Sequence, residues 1–129
     1  MKVYLCGPIL GCTDVECKDW REAFKTSGFD CVDPMIRDYR GRELECYREI
    51  VELDKLDIIG CDALVVNYSK PSVGTSMEIL FAWEQHKMIV VVTPKGAVIS
   101  PWLRYHASAI LDSFGEAIHL LKQYDFAIS

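Results

Sequence analysis

Residues 61–94, CDALVVNYSKPSVGTSMEILFAWEQHKMIVVVTP, decide the fold of this 129-residue chain. The first eight, CDALVVNY, are almost uniformly apolar, as a strand is when helices cover both faces of its sheet. A polar link bearing proline and glycine follows, and GTSMEILFAWEQH at 74–86 then shows helical spacing. MIVVVTP, at 88–94, is the most strongly β-forming run in the chain. Strand, helix and strand in this order make a βαβ unit, with parallel strands and a right-handed crossover.

The alternation extends in both directions from that unit. KVYLC, at 2–6, ends at Gly7-Pro8 and reads as a buried first strand. TDVE, at 13–16, has the form of a capping box and opens a helix that turns Trp20, Ala23 and Phe24 inward and stops at Gly28. FDCV, at 29–32, is a weak second strand. DPMIRDYRGRE, at 33–43, suits a flap over a ligand better than a core. Leu44, Tyr47, Ile50, Val51, Leu53, Leu56 and Ile59 recur at helical spacing and predict a helix closed by Gly60. Downstream, Ser100 and Pro101 cap and start a short helix, SAIL at 108–111 is a last strand, and SFGEAIHLLKQY at 113–124 a closing helix. One α/β domain over 1–129 is expected, with a five-stranded, mostly parallel sheet between two helical layers.

Charge narrows the function. The net charge is -5, and basic residues are scattered apart from Arg37, Arg40 and Arg42 in one loop. Nothing supplies the phosphate-neutralising stripe that a nucleic acid polymer requires, although a small anion in a local pocket stays compatible. MKVYLCGPIL is too short for a membrane span and carries no secretion pattern, so no membrane partner and a cytoplasmic location are expected. The six cysteines form no CxxC pair and read as reduced thiols, several of them core filler. His86, His106 and His119 lack metal spacing, and neither GxGxxG nor GxxxxGK[ST] occurs, so no metal and no cofactor are expected.

Ligands of such sheets bind beyond the carboxyl ends of the strands, where strand order reverses. In a flavodoxin-like order the tips after the first and third strands, GPILGC and NYSKPSVGTS, are neighbours. Glu78 then falls in the first turn of the following helix and points toward Tyr4 and Gly7. A helix N-terminus favours the ionised acid, so Glu78 is expected to remain a carboxylate at neutral pH. Acids also occupy first turns merely to stabilise them, and Gly74 fits a plain turn, so position alone leaves both readings open. Asp54 and Asp57 share a helix face, and Asp54, among Ile50, Leu53 and Leu56, fits either a buried border or a solvated edge. Tyr4 fits a core position with a satisfied hydroxyl as well as a site.

VYLCGPI, ELDKLDIIGCDALVVNY, SVGTSMEILFAWEQHK and SPWLRYHA, in this order, resemble the nucleoside 2-deoxyribosyltransferase family and its relatives, the 2'-deoxynucleoside 5'-monophosphate N-glycosidases. The resemblance implies a flavodoxin-like (Rossmann-like) three-layer sandwich and attack by Glu78 on C1' of a deoxyribose. Tyr4 matches the tyrosine that holds that glutamate, and Asp54 the aspartate that assists protonation and departure of the base. Gly7, Pro8, Ile9, Asn67 and Gly74 fall at substrate-binding positions. Ser72 departs from the aspartate of many transferases and matches the hydrolase serine that helps hold a 5'-phosphate. Ser100 matches a serine reaching the phosphate in a neighbouring subunit's site, although a plain N-cap explains it too. The hydrolases carry an arginine where this chain has Leu10, with Arg37, Arg40 and Arg104 as possible substitutes.

The implied partner is a small-molecule nucleoside or nucleotide. The implied assembly is a homodimer or higher homo-oligomer with shared sites, for which AVISPWLRY offers an apolar surface. Transfer of the sugar to another nucleobase is the first expectation and hydrolysis of a 2'-deoxynucleoside 5'-monophosphate the second. A TIR-like NAD hydrolase and a non-catalytic nucleotide-binding module are the other classes weighed.

Overall fold

The computed structural model describes residues 1–128, so Ser129, the last residue of the expected domain, lies outside the described residues. Five strands, β1 (Lys2–Cys6), β2 (Asp30–Val32), β3 (Ala63–Asn67), β4 (Met88–Val92) and β5 (Ala109–Leu111), form one sheet in the order β2-β1-β3-β4-β5. Every pairing is parallel, with Tyr4 between Val32 and Leu64. Five helices cover it: α1 (Trp20–Lys25), α2 (Glu43–Ile59), α3 (Val73–Glu84), α4 (Pro101–His106) and α5 (Phe114–Ile128). This is the doubly wound, flavodoxin-like α/β arrangement expected from the sequence.

The period of two along a strand sorts the core into halves. Val3, Leu5, Val65 and Val90 face Phe24 of α1 and Ala117 and Leu121 of α5. Tyr4, Cys6, Leu64, Val66 and Ile89 face Ile58 of α2, Ile79 and Ala82 of α3, and Leu103 of α4. No helix among the described residues is long and apolar enough to cross a membrane.

Local details differ from the sequence reading. The capping box forms reciprocally, Thr13 N–H to Glu16 Oε1 at 3.1 Å and Glu16 N–H to Thr13 Oγ1 at 3.3 Å. It opens a π-turn over Val15–Asp19 before α1, and this extra residue per turn rotates α1 so that Arg21, rather than Ala23, is buried beside Phe24. The 33–43 segment is not all flap: Asp33, Pro34 and Met35 are buried, and Asp33 caps a 3₁₀ turn over Pro34–Ile36. The apolar stripe of α2 is largely uncovered. Of that helix only Ile58 is buried, and Leu44, Tyr47, Val51, Leu56 and Ile59 are exposed. Periodicity identified the helix correctly, but its apolar residues do not face this chain's core.

Candidate active site

Strand order reverses at β1, since the chain passes from β1 outward to β2 and returns beside β1 as β3. β1 carries Tyr4 and Cys6 on the face covered by α3. In α3 the buried residues Thr75, Ile79 and Ala82 mark the inward stripe, and Glu78 stands at its edge, three residues after Thr75. The Tyr4 hydroxyl donates to Glu78 Oε2 at 2.6 Å. On α2, Asp54 lies one turn before the buried Ile58 and so shares its face. Asp54 and Glu78 both line a cavity of about 350 Å³ between α2 and α3, walled by Ile50, Ile58, Met77 and Phe81. That volume is at the small end of ligand pockets.

Burial raises both acids. Glu78 is pushed up to about 8, first by desolvation and then by the charge of Asp54, while the Tyr4 hydrogen bond, Arg21 and the Cys6 thiol favour its ionised form. Asp54 is pushed up to about 6, first by desolvation, with Arg37 opposing and Asp57 adding to the rise. The Tyr4 phenol is held well above its ordinary range by burial and by Glu78, so it remains a donor. The permanent carboxylate expected at Glu78 is therefore corrected. Helix α3 starts at Val73, which places Glu78 in the second turn, where the field of the helix terminus has faded and desolvation dominates. The two acids are coupled, and burial raises Glu78 further than Asp54.

The other expected site residues divide into groups. Gly74 lines the same cavity as Glu78, with open space where a Cβ would stand. Ser72 is the N-cap of α3, its hydroxyl accepting from Thr75 N–H at 3.3 Å. Gly7 ends β1 against Asn67: a Cβ on Gly7 would meet the Trp20 ring at 3.0 Å and the Asn67 Cβ at 3.3 Å, so a side chain there would make these neighbours give way by a few tenths of an ångström. Pro8 is buried, and Ile9 packs with Cys12, Cys17 and Met35. Gly7, Pro8, Ile9 and Asn67 do not line the cavity that joins Asp54 to Glu78. Ser100 caps α4 and lines a separate cavity of about 260 Å³ with Tyr68, Ser76, Trp102 and His106. Within one chain it is not brought to Glu78.

Three groups take places that the sequence reading did not assign to them. Arg21 is fully buried and donates to the carbonyls of Leu5, Gly7 and Cys17, fixing the loop after β1 from behind. Arg37 bonds both Asp54 and Asp57, and is thus committed inside the chain rather than free for a phosphate; Arg40 is likewise held by Asp14 and Asp38. Cys6 belongs to the buried core and also lies beside the Glu78 carboxyl. Only Cys6 had a usable signal, its spacing of two from Tyr4 along a strand.

Known proteins agree with this architecture. No match was found among curated proteins. Among solved structures the chain is similar to a 2-deoxyribosyltransferase from the psychrotolerant bacterium Bacillus psychrosaccharolyticus, with TM-score 0.75 and 14% identity over 92% of this chain and 90% of that one. It is similar to a conserved protein from Enterococcus faecalis V583, with TM-score 0.73 and 13% identity over 95% and 98%. It is also similar to the CMP N-glycosidase BcmB of Clostridium botulinum, with TM-score 0.62 and 17% identity over 95% and 99%. At such identities the likeness shows the fold. The family profile of nucleoside 2-deoxyribosyltransferases matches residues 3–121. The chain therefore belongs to the nucleoside 2-deoxyribosyltransferase family and is, at that level, an enzyme of the N-glycosidic bond.

Proposed function

We propose that the protein cleaves the N-glycosidic bond of a 2'-deoxynucleoside, or of its 5'-monophosphate, through a covalent deoxyribosyl ester of Glu78 and passes the sugar to a second nucleobase. The observation that carries this reading is the 2.6 Å hydrogen bond from Tyr4 to Glu78, in a carboxyl pair whose other member, Asp54, lines the same cavity. One acid must be ionised to attack and one protonated to release the base; burial raises Glu78 further than Asp54, so in the free protein the proton rests mainly on Glu78 and must pass to Asp54 before attack. A Glu78 oxygen bonds to C1' as the C1'–N bond breaks, and the bonding electrons leave with the base, which takes a proton from Asp54. Tyr4 donates to the carboxyl throughout and favours its ionised form, which eases that transfer. The incoming base then attacks C1', restores the proton to Asp54 and frees Glu78.

Hydrolysis, with water as acceptor, is the second reading. It is favoured by the neutral Ser72 at the cap of α3, where a carboxylate would repel a 5'-phosphate; one fold relative is described as a CMP N-glycosidase. Exposed Val73, Met77, Trp83, Trp102 and Tyr105 on α3 and α4 adjoin the exposed apolar residues of α2, and this supports the expectation that copies of the chain associate.

The test is intact-mass analysis after mixing with 2'-deoxynucleosides and, separately, with 2'-deoxynucleoside 5'-monophosphates, with and without a free base. A deoxyribosyl adduct is expected, absent in Glu78→Ala. Base exchange supports transfer, and base release from monophosphates alone supports hydrolysis. Turnover that survives Glu78→Ala overturns both.

A further inference from the structure

Arg37 stands in the segment between β2 and α2 and is partly buried. Its Nη2 reaches Asp57 Oδ2 at 2.6 Å and Asp54 Oδ1 at 3.4 Å, so a single nitrogen serves two carboxylates one turn apart on α2. The segment carrying it is itself anchored, because Asp33 accepts from Met35 N–H at 2.8 Å, pairs with Lys25 at 2.7 Å and lies 3.8 Å from the buried Arg21. The guanidinium is therefore presented to α2 from a fixed support.

We propose that Arg37 is a positioning residue for base release: shared between Asp54 and Asp57, it aims the Asp54 carboxyl into the cavity and sets how readily that carboxyl exchanges its proton. The unequal distances carry the inference. Asp57 takes the short bond and leaves Asp54 the long one, so Asp54 is oriented without being locked into a full ion pair that would keep it ionised. Asp57 is thus a competitor that tempers the cation. The remaining groups around Asp54 are Glu78 and Glu84 from α3, Tyr4 and Cys6 from β1, Arg21 from α1, and Lys55 on α2 itself, which lies over the Phe81 ring at 5.2 Å. None of these bonds the Asp54 carboxyl, whereas Arg37 does. Removing the cation and removing its competitor must then act on Asp54 in opposite directions.

The proposal rests on the glycosidic reading for its consequence, but its core is measurable without turnover. Carboxyl-¹³C NMR on Asp-labelled protein, with Asp54→Asn to assign the resonance, gives the Asp54 titration midpoint. In Arg37→Gln the midpoint is expected to rise by about one pH unit or more, in Asp57→Asn to fall by about as much, and in Arg37→Lys to stay near the parent. Where deoxynucleosides are turned over, the kcat–pH profile moves with those midpoints and KM changes less. An Asp54 midpoint unmoved in both Arg37→Gln and Asp57→Asn overturns the proposal. So does a rise in KM confined to 5'-monophosphates with an unshifted profile, which would make Arg37 a phosphate ligand. A chain that turns over no deoxynucleoside sinks the glycosidic reading alone, while the midpoints still decide the coupling.

Discussion

Arg21 and Glu78 lie behind and in front of the carboxyl end of β1, and the chain compensates them in opposite ways. Arg21 is fully buried, yet three backbone carbonyls accept from it and Asp33 lies 3.8 Å away. Its charge is answered where it sits, and the result is a rigid support for the loop after β1. Glu78 is surrounded by apolar side chains and faces another acid, with the Tyr4 hydroxyl as its one short hydrogen bond. Its charge is left poorly answered. A compensated ion holds structure together, while an uncompensated one stores free energy that a ligand with developing positive charge can relieve. An oxocarbenium-like sugar is such a ligand.

The sharpest test of this contrast is Glu78→Gln, which removes the unanswered charge and keeps the shape. Turnover is expected to fall by about 10³-fold or more, since a neutral amide is too weak a nucleophile to form the ester. Stability should change in the opposite sense. The folded-state midpoint of Glu78, about 8, lies above the ordinary 4.5, so its stabilising contribution is complete below about 4.5 and is lost as pH rises to about 8. Thermal melting should therefore show Glu78→Gln gaining on the parent across that window, by up to several kcal/mol, and then levelling. A constant difference at all pH values would mean that the carboxyl is not held out of water.

Arg21→Met breaks the other side of the comparison. It abandons three carbonyls and leaves Asp33 without its buried partner, for an expected loss of about 3 to 5 kcal/mol in denaturant unfolding. Unlike Glu78→Gln, it should weaken folding at every pH, and the activity of the folded fraction should shift toward higher pH, because a cation that favours ionised Glu78 is lost.

The fold was legible because its signals are local. Uniform apolar runs, the Ser100 cap, the Thr13–Glu16 box and Gly60 each act within a few residues, and each formed. The π-turn that brings Arg21 inward was not legible, since one inserted residue in a turn rotates a whole helix while leaving the composition unchanged. Tyr4, Asp54 and Glu78 could be named together from the resemblance, and topology alone placed Glu78 toward Tyr4. The protonation of Glu78 could not be foreseen, because desolvation depends on what α2 and β1 place around it. The exposure of the α2 apolar stripe was not legible for a related reason: periodicity reports that a face is apolar, not what covers it.

Tyr4→Phe gives the smallest of the three effects and the finest division between the two regions. The hydroxyl donates to a carboxyl in a partly buried site, where a charge-assisted bond favours the ionised form. Its loss should push the Glu78 midpoint above about 8, so the pH window over which stability declines should stretch upward while its lower edge, set by the unfolded chain, stays fixed. Turnover should fall by about tenfold, with the optimum displaced toward higher pH, because ionising the nucleophile then requires more alkaline solution. If Tyr4→Phe lowers turnover without moving either the stability window or the optimum, the phenol serves only to fill space under α3. Glu78 would then owe its ionised fraction to Cys6 and Arg21 instead.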